Sequence, residues 1–178
     1  VAVATPAPAP AAPAAPTTCA GSAQKLTRTV SGKKVAFCID RYEFPGKGST
    51  PQTGVTWDGA QAACKAQGKR LCTAAEWTQG CGGKYPYGAT YDAAKCNTAG
   101  DDEEERPLVP TGSKGECKSG AGLYDMSGNA AEWVDEGTVH GGSSERDGET
   151  ATCGRAAKRF KGAGNAFVGF RCCADVAP

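Results

Sequence analysis

The stretch Gly122-Leu-Tyr-Asp-Met-Ser-Gly-Asn-Ala-Ala-Glu-Trp133 decides the fold, because two kinds of chain meet in it. Before it, from Gly82 to Gly122, the residues are mostly Gly, Asp, Glu, Pro, Ser and Lys, punctuated by Cys96 and Cys117 and without helical or strand period. A loop region of that length inside a compact domain is usually functional or crosslinked. Within the stretch, Ser127-Gly-Asn129 reads as a turn, and Ala131–Val134 as a short strand that carries Trp133. A last strand is expected at Phe167–Cys172.

Upstream, Lys34-Val-Ala-Phe-Cys-Ile-Asp40 is apolar and β-prone. After the Gly/Pro-rich turn region 45–54, Thr56 is placed to cap a helix over 57–67, stopped by Gly68. Trp57, Ala60 and Cys64 then share its inward face. Thr73-Ala-Ala-Glu76 is a capping box, opening a second short helix that ends near Gly80 with Trp77 as its core anchor. Two helices, few strands and much loop describe an α+β domain with a small, twisted, mostly antiparallel sheet.

With so little apolar sequence, something besides a core must hold the domain. The chain has 178 residues and ten cysteines, at 19, 38, 64, 72, 81, 96, 117, 153, 172 and 173. An even number, scattered without a CxxC pair and with His140 the only histidine, points to disulfides in an oxidising compartment and away from zinc. Residues 1–18 are nearly all Ala, Pro, Val and Thr and read as an extended, flexible tether ahead of one domain over 19–178.

A formal net charge of +1 gives no electrostatic case for nucleic acid or for an anionic membrane surface. No apolar run reaches the roughly 20 residues of a membrane span. Export would then rest on a leader or lipid anchor ahead of Val1, placing the domain as secreted, periplasmic or on the cell surface.

Four segments in one order carry a resemblance: Gly68-Lys-Arg-Leu-Cys-Thr-Ala-Ala-Glu-Trp77, Tyr85-Pro-Tyr-Gly88, the opening stretch Gly122–Trp133, and Gly141-Gly-Ser143 followed by Gly169-Phe-Arg171. From about Phe37 to Cys173 the chain resembles the formylglycine-generating enzyme, or sulfatase-modifying factor, family. The resemblance implies a C-type-lectin-like fold, with two helices flanking a small sheet and a large irregular loop region. It also implies core roles for Trp57, Trp77 and Trp133.

Active members of that family oxidise a substrate cysteine with O2 and a copper(I) ion held by two cysteines just beyond the Gly-Gly-Ser motif. Copper(I) selects soft thiolates. Here Gly141-Gly-Ser143 is followed by Ser144-Glu-Arg-Asp-Gly-Glu-Thr-Ala-Thr152, without a cysteine, and Cys153 matches the structural cysteine that follows the pair. No copper is expected, and a single histidine excludes the histidine-bound iron of a related branch.

What the resemblance leaves is a structural calcium site, with side chains of Asp125 and Glu132 and carbonyls of Gly128 and Ala130 as ligands, completed by loop or solvent oxygens. The acid run Asp101–Glu105 reads as a solvated loop. Adjacent strand residues face opposite ways, so Cys172 and Cys173 reach different partners. C-type-lectin-like folds join the first helix to the last strand, implying that one pairs with Cys64 and the other with Cys153 or Cys72. His140 beside Ser143 and Ser144 is a weak hydrolase signal, since sequence proximity says little about geometry.

The expected function is that of a non-catalytic, exported binding or structural module, a pseudoenzyme recognising a protein or glycan partner at the cell surface. Two alternatives stand beside it: a divergent cysteine-oxidising or other enzyme of the family, and a homo-oligomeric subunit of a surface layer or filament.

Overall fold

The computed structural model describes residues 17–99, 104–145 and 148–177. All but Thr17 and Thr18 of the expected tether, and residues 101–103 of the acid run, lie outside the described residues.

The elements follow the order β1 (Gln24–Val30), β2 (Lys33–Ile39), α1 (Trp57–Ala66), β3 (Arg70–Leu71), α2 (Ala74–Cys81), β4 (Ala131–Trp133), β5 (Thr138–His140), β6 (Ala156–Lys158), β7 (Val168–Phe170) and β8 (Cys172–Asp175). Both helices start where their caps predict. The Thr56 hydroxyl accepts from Gly59 N, and the Thr73–Glu76 box closes in both directions.

The single sheet expected from sequence is two. One has the order β1-β2-β8-β3 and is antiparallel throughout; the other has the order β6-β5-β4-β7 and contains one parallel pair, β4 with β7. The run expected as one last strand is therefore divided: β7 belongs to the second sheet, β8 to the first, and Arg171 is the residue between them. Of the strands not expected from sequence, β1, β3, β5 and β6, the longest is β1. Its apolar residues are few, and it is held mainly by full register with β2, from Gln24 opposite Ile39 to Val30 opposite Lys33.

Two buried clusters fill the layers. Phe37, Ile39, Trp77, Leu123 and Met126 form one, between the first sheet, α2 and the loop region. Trp133, Val139, Val168 and Phe170 form the other, with Ala60 and Cys64 of α1. Contact is close enough that a Cβ on Gly80 of α2 would lie 2.5 Å from Leu123 Cδ1.

Five disulfides use all ten cysteines: Cys19–Cys38, Cys64–Cys172, Cys72–Cys173, Cys81–Cys153 and Cys96–Cys117. The neighbours Cys172 and Cys173 do diverge, one to α1 and one to the segment after β3. Cys96–Cys117 ties the long loop region to itself, and Cys81–Cys153 pins the end of α2 to the segment after the Gly-Gly-Ser turn.

A chain this poor in core residues should depend on those links. Replacing Cys72 and Cys173 together by Ser opens a link across 101 residues, and is expected to cost about 2–5 kcal/mol in denaturant unfolding. In the unreduced protein a thiol reagent should find no reactive cysteine.

Candidate functional site

The site is built around Arg171, whose guanidinium is fully buried at the junction of the two sheets. Its Nη2 donates to Glu132 Oε1 at 2.6 Å and its Nε to Glu132 Oε2 at 2.7 Å. The remaining donors reach the carbonyls of Asp40, Arg41 and Tyr124. Trp77 Nε1 donates to Glu132 Oε2 at 2.8 Å, so α2 is fastened to the same carboxylate.

Beside this pair, the turn Ser127–Asn129 fastens the loops. Gly128 has φ +75°, and a Cβ there would stand 2.3 Å from the Asn97 carbonyl oxygen, so only glycine fits. Asn129 Nδ2 donates to Glu43 Oε2 at 2.7 Å, and its Oδ1 accepts from Asn97 Nδ2 and Val109 N, both at 3.0 Å. Ala130 N donates to the other oxygen of Glu43 at 3.0 Å. Asp125 Oδ2 accepts from Gly112 N at 2.6 Å and from the Thr111 hydroxyl at 3.1 Å, while its Oδ1 is buried without a hydrogen-bond partner among the described residues.

The sequence brought Asp125, Gly128, Ala130 and Glu132 forward as calcium ligands. As arranged, Glu132 is not free to join a calcium cage, whereas Asp125 keeps one buried oxygen without a partner among the described residues. Both oxygens of Glu132 are engaged by Arg171 and Trp77, and a divalent cation there would sit against a buried guanidinium. Glu43 was missed. Its role rests on contacts with residues 129 and 130, a separation that no local pattern reveals.

Copper(I) fares no better, since every cysteine is oxidised and none offers a thiolate. Cys153 is the partner of Cys81, and the Ser127 hydroxyl donates to the Ala151 carbonyl, closing the segment beyond the Gly-Gly-Ser turn onto the Ser127–Asn129 turn. His140 packs on Trp77 with ring centroids 5.4 Å apart, and burial holds its imidazole below the usual histidine range. Its Nε2 meets the Thr138 hydroxyl at 3.2 Å, and its buried Nδ1 has no hydrogen-bond partner among the described residues. Among the described residues no carboxylate is hydrogen-bonded to either ring nitrogen, as one would be to orient a catalytic imidazole. Two open concavities, of about 370 and 410 Å3, are lined by residues 20–22, 40–46, 67 and 69 and by residues 87–92 and 95; neither includes a described residue from 140–153.

Glu43, Asp125 and Glu132 are three buried carboxylates around one buried guanidinium. Burial, reinforced by Asp125 and Glu132, pushes Glu43 well above its ordinary 4.5 despite Arg171 and the Ala130 N–H. Burial likewise raises Asp125 above 3.8, against the hydrogen bond from Gly112 and the charge of Arg171. From those ordinary values upward, the folded protein keeps protons that the unfolded chain has released, so stability should fall as the pH rises toward the raised values. Glu76 has the opposite sign: its burial is outweighed by hydrogen bonds from Arg70 and Thr73, which hold it below 4.5. Its contribution is lost as the pH falls below that value. Chemical unfolding across pH should show greatest stability near the ordinary carboxylate range, and Glu43→Gln should flatten the loss on the alkaline side.

Removing one partner of the buried pair leaves the other charge bare. Arg171→Met is therefore expected to destabilise by about 3–5 kcal/mol in denaturant unfolding, with Trp77 fluorescence reporting the disturbed Glu132 contact.

Residues 23–176 match the family model described as the sulfatase-modifying factor enzyme 1-like domain. The serine/threonine-protein kinase Pkn1 of Chlamydia trachomatis is 29% identical over 162 residues, covering 74% of this chain and 25% of that protein. The formylglycine-generating enzyme of Bos taurus is 34% identical over 110 residues, covering 53% of this chain and 29% of the enzyme. The chain thus spans less than a third of the length of these relatives. Among solved structures, PvdO of Pseudomonas aeruginosa superposes with a TM-score of 0.64 at 19% identity, covering 86% of this chain and 92% of that one. Treponema denticola variable protein 1 gives 0.61 at 15% identity, covering 85% of this chain and 99% of that one. The Major Tropism Determinant I1 variant gives 0.58 at 15% identity, covering 86% and 55%. With the Glu132–Arg171 pair, the Ser127–Asn129 turn and the two-sheet frame in place, this chain belongs to the sulfatase-modifying factor enzyme 1-like domain family.

Proposed function

We propose that this domain is a non-catalytic binding or structural module that recognises a protein or glycan partner at the cell surface. The observation that carries this reading is the state of the cysteines. All ten are spent on disulfides, and the segment where active relatives hold copper has none. Cysteine oxidation by copper and O2 needs a pair of thiolates that this chain does not supply. Support comes also from the fold, which here serves a variable protein and a tropism determinant, names that denote variation and recognition rather than catalysis. Fold likeness alone does not transfer that role.

Five disulfides, and no helix among the described residues long and apolar enough to cross a membrane, are consistent with an extracellular or periplasmic protein. On this reading the exposed faces of residues 82–99 and 104–122 are the recognition surface, held by Cys96–Cys117 and the Asn129 network. A domain that keeps those loops ordered without a ligand spends less entropy when it binds.

The test is direct. The purified protein, given a cysteine-containing substrate peptide, copper(I) and O2, should form no formylglycine, and metal analysis after copper loading and desalting should find no bound copper. Aldehyde in the peptide by mass spectrometry would overturn the reading.

A further inference from the structure

The loop between β6 and β7 presents an aromatic ring to solvent. Phe160 is 79% exposed, against 38% for Val30 and Val35, the two other large exposed apolar side chains among the described residues. Lys158, Arg159 and Lys161 flank it, and Gly162, Ala163 and Gly164, which complete the tip, are exposed as well. From Thr150 to Ala174 there is no Asp or Glu. The net charge of +1 conceals this local asymmetry.

The tip is braced from behind. Trp57 N donates to the Lys161 carbonyl at 3.0 Å, and Lys161 Nζ lies 3.9 Å from the Trp57 ring centroid. Gly54 N donates to the Asn165 carbonyl at 2.9 Å, and a Cβ on Gly164 would meet the Gly54 carbonyl oxygen at 1.9 Å. Asp135 and Glu136, on the turn that Lys161 crosses, are engaged by Gln61 and by the N-terminus of α2. Lys158 and Arg159 have no ion pair among the described residues.

We propose that this tip makes a peripheral contact with an anionic lipid surface. Phe160 enters the interfacial region, and Lys158 and Arg159 meet lipid phosphates. The tip offers an apolar ring, small residues and cations, and the side-chain oxygen that follows it in the chain, Asn165 Oδ1, is taken by Phe167 N. A protein epitope is matched by a mixture of donors and acceptors. A lipid interface asks only for an inserted apolar group and cations beside it, each cation near the surface strengthening binding by about fivefold. This inference is independent of the binding-module reading and does not use the loop region that the reading takes as its recognition surface.

Co-flotation of the full chain with phosphatidylcholine vesicles, with and without phosphatidylglycerol, tests it. Binding is expected only with phosphatidylglycerol, weakening at high salt. Phe160→Asp should lower the partition coefficient by about tenfold or more, and Lys158→Glu with Arg159→Glu by a similar factor or more, with unchanged near-ultraviolet circular dichroism. Absence of binding to phosphatidylglycerol vesicles, or binding that Phe160→Asp leaves intact, overturns the proposal. So does loss of self-association in the Phe160→Asp variant by analytical ultracentrifugation without loss of vesicle binding, which would assign the ring to a second copy of the chain.

Discussion

The buried pair of Arg171 and Glu132 is the interaction on which the rest of the structure depends. Arg171 occupies the single position between β7 and β8, where the chain leaves one sheet for the other. Its guanidinium reaches Glu132 in the second sheet and the carbonyls of Asp40 and Arg41 just after β2 of the first. An arginine in a dry interior is tolerable only when every donor has a partner. Meeting that demand brings together β2, β4, α2 through Trp77, and the loop region through the Tyr124 carbonyl. An apolar residue of similar size would fill the space without dictating which segments surround it.

The loop region is ordered by the same logic on a smaller scale. It has little apolar surface to bury, so its backbone groups are satisfied by side chains. Asn129 alone joins residues 43, 97 and 109, and its carbonyl accepts from Ser144 N at 3.0 Å. The cost is an accumulation of carboxylates. Glu43 and Asp125 lie buried near Glu132 with one guanidinium among them, and raised proton affinity is the physical response to that imbalance. The polar network that replaces a hydrophobic core thereby makes stability sensitive to pH.

Much of this was legible in the chain and some was not, for definite reasons. Both helix starts are written in local chemistry, the Thr56 cap and the Thr73–Glu76 box, whose partners lie only three residues away. The divergence of Cys172 and Cys173 follows from strand geometry, and their partners are among those the family resemblance implied. Strand β1 was invisible because an edge strand with polar residues on both faces carries no period strong enough to detect. The division at Arg171 was equally hidden: the hydrophobicity of Phe167–Cys172 runs straight through it, and only the partner of each half shows that they belong to different sheets. Glu43 poses the same difficulty, since the contacts that define it come from residues 129 and 130, far along the sequence.

The cysteines bring the physical and the functional arguments together. A thiolate pair able to hold copper(I) must stay reduced and accessible, whereas a small domain with a thin core needs its cysteines oxidised and buried. Both demands can be met in one chain only if some cysteines are kept apart from the disulfide framework. Here all are drawn into it, and nine of the ten are buried, Cys19 being the exception. The segment beyond the Gly-Gly-Ser turn, left without thiols, is closed down by Cys81–Cys153 and by the bond from Ser127 to the Ala151 carbonyl. Where a catalytic relative would hold its metal, the cysteine that remains, Cys153, is spent on holding the segment to the end of α2.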